Sequence, residues 1–145
     1  MELAEIKQII KELFLSQKGI VAVLLYGSYA KKIAKPDSDV DIAVLYDPEA
    51  TPSALELWDL QYKLSELLLC EVELISLNHA DPIIGIQVYK HHITVLINDQ
   101  NQLSEYFARL LSDYAELKEL IKPMEDHILE RRYYGGSRSN SQKSR

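Results

Sequence analysis

Residues 20–26 read IVAVLLY, a continuous apolar run rich in β-branched side chains that stops at Gly27. Side chains alternate across a strand, so a run that is apolar at every position has both faces hidden. The pattern therefore predicts a buried strand in a covered sheet. The rest of the chain has to supply the cover and the neighbouring strands.

DVDIAVLY, Asp39 to Tyr46, lies between Pro36 and Asp47-Pro48 and predicts a second strand. EVELISL, Glu71 to Leu77, alternates in its first half and predicts a third, and ITVLI, 93–97, a fourth. Helices are predicted where the period lengthens. Leu3, Ile6, Ile10 and Leu13 recur at three- and four-residue steps, and Gly19 marks the end of that segment. Ser53 to Glu56 has the Ser-x-x-Glu form of a capping box, after which Leu57, Leu60, Leu64, Leu67 and Leu68 trace one helical face up to Cys70. A last long helix runs through Leu103, Phe107, Leu110, Tyr114, Leu117 and Ile121, and Pro123 is expected to kink or interrupt it. Between the first two strands, SYAKKIA is long enough for about two helical turns and opens on a serine suited to cap them.

A chain of 145 residues, 47% hydrophobic, supports one core. The expected domain covers residues 1–132. Residues 133–145 end in the Gly/Ser-rich GGSRSNSQKSR and are expected to be a disordered tail, with Tyr133-Tyr134 at the frayed end of the helix. Sixteen Lys and Arg against 22 Asp and Glu give a net charge of -6, which argues against a general nucleic-acid binder. The single cysteine, Cys70, excludes an internal disulfide framework and reads as a small, buried apolar residue. MELAEIKQII has no basic region or cleavage site, and no apolar run approaches the roughly twenty residues a bilayer needs, so a cytoplasmic protein is expected.

Chemistry concentrates in GSYAKKIAKPDSDVDIAVL, residues 27–45. On a strand Asp39 and Asp41 share one face while Val40 and Ile42 share the other. Two carboxylates so close repel unless water screens them or a divalent cation sits between them, and magnesium commonly takes one or two carboxylates together with substrate phosphates. Gly27 lets backbone approach a phosphate, and Ser28 adds a hydroxyl and amide groups. One element suits phosphate and the other metal, which points to metal-assisted transfer from a nucleoside triphosphate.

Gly27-Ser28, ten intervening residues, then Asp39-x-Asp41 and an apolar strand resemble the signature of the polymerase-β-like nucleotidyltransferases. More narrowly, GSYAKK…SDVDIAVL resembles the minimal nucleotidyltransferases (MNT), specifically the MntA-type antitoxin encoded beside a HEPN ribonuclease toxin. The resemblance is close over residues 20–46 and persists as element order to about residue 125. It implies an α+β fold, a small mixed sheet flanked by helices. It also implies transfer of AMP from ATP to a tyrosine of the toxin, with two Mg2+ ions held by three carboxylates. The family's third carboxylate is usually an aspartate between valine and leucine. Here the matching triplet is Val72-Glu73-Leu74, so that role falls on Glu73, one methylene longer. The implied catalytic and metal-binding residues are Asp39, Asp41 and Glu73, and the implied nucleotide-binding residues are Gly27, Ser28 and Lys32.

Lys31, Lys32 and Lys35 lie where they would meet a triphosphate or an acidic partner, although lysines in such segments more often face solvent. His79, His91 and His92 lack the spacing of a helical metal pair. An arginine four to six residues before a histidine, the HEPN ribonuclease motif, does not occur. The chain therefore resembles the antitoxin and not the toxin, and the resemblance implies a HEPN toxin as partner in a hetero-oligomer, with no membrane and no direct nucleic-acid contact. Two other readings remain open: an antitoxin that masks the toxin by binding alone, and a transferase acting on a small aminoglycoside-like acceptor.

Overall fold

The computed structural model describes residues 1–134. In chain order it has helix α1 (Leu3–Leu15), strands β1 (Ile20–Tyr26) and β2 (Val40–Tyr46), a short 3-10 turn (Pro48–Ala50), helix α2 (Ala54–Leu68), strand β3 (Val72–Ser76), helix α3 (Pro82–Lys90), strand β4 (Ile93–Ile97) and helix α4 (Gln100–Tyr134). The strands form one mixed sheet in the order β3-β2-β1-β4. β1 is antiparallel to β2 and to β4, while β2 and β3 are parallel and are joined by the crossover through α2 that a parallel pair requires. This is the expected α+β class.

All of β1 is buried, as its composition demands. Ile20, Val23 and Leu25 join Val40, Ile42, Val44, Val72 and Leu74 under Ile6, Ile10 and Phe14 of α1 and Leu64 and Leu68 of α2. Val21, Leu24 and Tyr26 belong to the other face, with Ala43, Leu45, Leu77, Val88 of α3 and Leu103 of α4. Each such aliphatic side chain removed from water contributes about 1.5–3 kcal/mol before the entropy of ordering it is set against that.

The capping box is formed. The Ser53 hydroxyl accepts from the Glu56 amide at 3.1 Å, and the Glu56 carboxylate accepts from the Ser53 amide at 2.9 Å. On α2 only Leu64 and Leu68 are fully buried. Leu67 is 45% exposed, because it lies about 60° round the helix from Leu64, at the rim of the apolar face. On α1, Leu3 is exposed in the same way, and Phe14 takes a core position beside Ile6 and Ile10.

Three elements differ from the sequence expectation. SYAKKIA makes a single helical turn instead of two: Ile33 N–H donates to Ser28 O at 3.0 Å and Lys32 N–H to Tyr29 O at 3.2 Å, the paired bonds of a Schellman closure with Lys32 left-handed at φ 61°. Helix α3 was not anticipated, because IIGIQV combines β-branched residues with a glycine. It forms because the Asp81 carboxylate caps the Ile84 amide at 3.0 Å, Pro82 opens the first turn, and Gly85 admits Leu110 against the backbone. Pro123 lies inside α4 and does not end it, although it removes one amide from the helical ladder.

The chain divides into Met1–Leu110 and a second unit from Leu111. The second unit is helical through Tyr134 and exposes Leu120 and Met124. Tyr133 and Tyr134 are thus helical, and the disorder expected of the tail concerns, from residue 135 on, positions outside the described residues. No helix among the described residues is long and apolar enough to cross a membrane.

Candidate active site

The parallel register sets Asp41 beside Glu73, and the antiparallel register sets Tyr26 beside Asp41. Three strands therefore carry a row of three polar side chains, Tyr26, Asp41 and Glu73, at one end of the sheet. Alternation puts all three on the face of Ala43 and Leu45, opposite the Val40–Ile42–Val44 core. Asp39 precedes the first residue of β2 and is exposed, so the strand starts one residue later than the sequence pattern suggested. Glu71 likewise falls outside β3. Its side chain is exposed and its carbonyl accepts from the Val40 amide at 3.0 Å, an anchoring bond for the parallel pair.

Gly27 follows β1 in the left-handed region at φ 68°. A Cβ built there would strike the Asp41 carboxylate and lie 2.9 Å from its Cγ. The glycine thus lets the chain turn and leaves room for Asp41 beneath the turn. Ser28 is half-buried next to it, whereas Lys31, Lys32 and Lys35 are exposed. With one helical turn in place of two, little helix dipole bears on this turn, so the donors it offers are its own amides and the Ser28 hydroxyl.

Asp41 is pushed up to about 6, first by burial and then by the charges of Glu73 and Asp39. The Tyr26 hydroxyl donates to Glu73 Oε1 at 3.1 Å. Burial, the Glu73 charge and that hydrogen bond, with a smaller push from Asp41, hold the phenol protonated well above its ordinary value. Sequence reading missed Tyr26. The available signal was a hydroxyl-bearing side chain ending an otherwise aliphatic strand, immediately before the glycine.

Asp41 and Glu73 are brought side by side, and Asp39 is near enough to raise Asp41. Among the described residues, however, no three His, Cys, Asp or Glu side chains converge into a ready cage for a metal ion. Cys70, partly buried against the core and pushed up by burial, then by Asp39 and Glu71, takes the packing role expected of it. Clefts along α1 (Leu3, Lys7, Lys11, Val95) and beside Tyr46 (Lys18, Glu49, Asp59, Lys63) contain none of the row.

Residues 8–101 match the family described as Polymerase beta, Nucleotidyltransferase. A Methanocaldococcus jannaschii protein bearing the name "Putative protein adenylyltransferase" is 32% identical over 96 residues, which are 66% of this chain and all of the relative. A second protein of that organism and name is 36% identical over 80 residues, 52% of this chain and 79% of the relative. Among solved structures, a chain of a toxin-antitoxin crystal structure with AMP-PNP superposes with a TM-score of 0.75 at 26% identity, covering 86% of this chain and 98% of its own. A chain of the tri-AMPylated Shewanella oneidensis HEPN toxin in complex with MNT antitoxin does so with a TM-score of 0.72 at 25% identity, covering 89% and 99%.

Proposed function

The chain belongs to the polymerase beta nucleotidyltransferase family, and from that premise we propose that it transfers AMP from ATP to a tyrosine hydroxyl of a partner HEPN ribonuclease toxin and so neutralises it. The observation that carries this reading is the Tyr26–Asp41–Glu73 row beside the Gly27 turn. The relatives' adenylyltransferase names and the neighbours' toxin–antitoxin complexes support the choice of nucleotide and partner. ATP and a ribonuclease target meet in the cytoplasm, where the reading places the protein.

The donor set is carboxylate oxygen throughout, the type magnesium takes, and Asp41, raised first by burial and then by Glu73 and Asp39, stands where a divalent cation would offset its charge. Asp39, Asp41 and Glu73 are the residues that would hold one or two Mg2+. When bound, magnesium supplies positive charge to the phosphates and to the charge that develops as they part. The protein's own contributions are separate. The Ser28 hydroxyl and the amides of the turn receive the triphosphate, with Lys32 at the turn's exposed edge. Glu73 accepts the proton of the acceptor hydroxyl as its oxygen bonds to the α-phosphorus and pyrophosphate leaves.

The test is the intact mass of the partner toxin after incubation with this protein, ATP and Mg2+. The expected result is a gain of one or more AMP units on tyrosine, abolished by chelation. A toxin that is silenced without any gain in mass would replace the enzyme with a binding module.

A further inference from the structure

β1 and β3 flank β2, so Tyr26 and Glu73 belong to strands two spacings apart, about 9–10 Å. Only long side chains bridge that distance, and these two meet over Asp41, whose shorter side chain lies between them in register. Their bond of 3.1 Å is already at the long end for a hydroxyl donor. An aspartate at 73 would withdraw its oxygens by about 1.5 Å, one carbon–carbon bond, and leave the phenol without this partner. A phenylalanine at 26 would leave Glu73 free to swing. The identities at the two positions are therefore coupled by reach.

We propose that Tyr26 is a positioning residue: its hydroxyl holds one oxygen of Glu73, turns the other toward Asp41, and is what allows this chain to use a glutamate as its third carboxylate. Tyr26 does not touch the reacting atoms. It is 8% exposed, with its ring in the core cluster of Ala43 and Leu24 and only its oxygen committed to the site. The inference rests on the carboxylate reading above. It goes beyond that reading by naming the residue that orders the third ligand and by making glutamate at 73 conditional on tyrosine at 26.

The experiment is a double-mutant cycle with Mn2+ as the probe, its binding followed by the spectrum of the free ion, in the parent, Tyr26→Phe, Glu73→Asp and the double variant. Loss of a partner that orients a ligand typically weakens metal binding 10–100-fold, so Tyr26→Phe is expected to cost at least about tenfold when residue 73 is glutamate. With aspartate at 73 the same change is expected to cost less than about twofold, because the bond is already gone. Melting temperatures of the four metal-free proteins should show the same non-additivity. Equal losses in both backgrounds would overturn the proposal, as would unchanged Mn2+ binding by Tyr26→Phe or a Tyr26→Phe chain that fails to fold. If the parent binds no Mn2+, the carboxylate reading falls and this one with it. If parent and Tyr26→Phe bind alike, only the positioning role falls.

Discussion

The two faces of β2 and β3 are built from alternate residues of the same two short segments, yet they obey different rules. Val40, Ile42, Val44, Val72 and Leu74 form one face, apolar from end to end and sealed under α1 and α2. Asp41, Ala43 and Leu45 form the other, with Glu73 and Ile75 beside them: apolar at one end, where α3 and α4 cover it, and acidic at the end reached by Tyr26 and Gly27. At the Gly27 end of the sheet, a single-residue alternation therefore separates core packing from the proposed site. Substitutions one position apart should then act on different observables.

The largest contrast is between Asp41 and Ile42. Asp41→Asn, and likewise Asp39→Asn, is expected to reduce AMP transfer to background while leaving the fold intact, since each removes a carboxylate and no packing. Ile42→Ala removes a fully buried side chain and is expected to cost about 2–5 kcal/mol of stability. Transfer by the protein that remains folded should be retained. Unfolding curves and single-turnover transfer of labelled AMP, measured on both variants, check the pair. Active Asp41→Asn protein would erase the distinction between the faces.

That distinction was legible only in part. IVAVLLY and VDIAVLY announced their strands because burial on both faces leaves a run with almost no polar interruption, and the aspartates stood out against it. What a linear reading lacked was pairing. Register across β1, β2 and β3 puts Tyr26, Asp41 and Glu73 in one row, and no local pattern encodes that 26 faces 41 or that 41 faces 73. SYAKKIA makes one turn where its pattern suggests two for a related reason. Its helix propensity is real, but the chain has to return to Val40, and the left-handed Lys32 ends the helix after one turn. Helix α3 was missed because its stability comes from the Asp81 cap and the close approach of Leu110 at Gly85, which outweigh weak local propensity.

Within β3 the comparison sharpens to two glutamates. Both are exposed, but Glu73 lies in the row and Glu71 precedes the strand. Glu73→Gln is expected to slow transfer by about a hundredfold, the usual worth of a positioned base, with ATP affinity largely kept. Glu71→Gln should be indistinguishable from the parent. The reverse result would move the third carboxylate out of register with Asp41.

A smaller effect is expected at the turn. Ser28→Ala removes one hydroxyl from the proposed phosphate contacts and leaves the backbone amides, so ATP binding should weaken by about 1–2 kcal/mol, roughly 5–30-fold. Calorimetric titration with a non-hydrolysable analogue reads this directly. An unchanged affinity would assign the phosphates to the amides alone.

The smallest effect is the cost of the acidic end itself, visible in the metal-free protein as a function of pH. Asp41 is raised from 3.8 to about 6 by burial, by Glu73 and by Asp39, so the folded state binds its proton more tightly than the unfolded chain does. For a carboxyl raised on folding, stability falls as pH rises: the proton is held in both states below about 3.8, in the folded state alone between about 3.8 and 6, and in neither above 6. Glu56 and Asp99 are lowered by local hydrogen bonds and contribute with the opposite sign, so the parent's own curve mixes the two. The difference between Asp41→Asn and parent isolates the site. That difference in melting temperature should be nearly constant below pH 4, shift in favour of the variant between pH 4 and 6, and level off above. Added Mg2+ should reverse the advantage at neutral pH, since an ionised Asp41 then gains a partner that asparagine does not. A difference that stays flat across this range would mean that Asp41 is solvated like any surface aspartate, and that the two faces of the strand differ in composition without differing in the free energy of their charges.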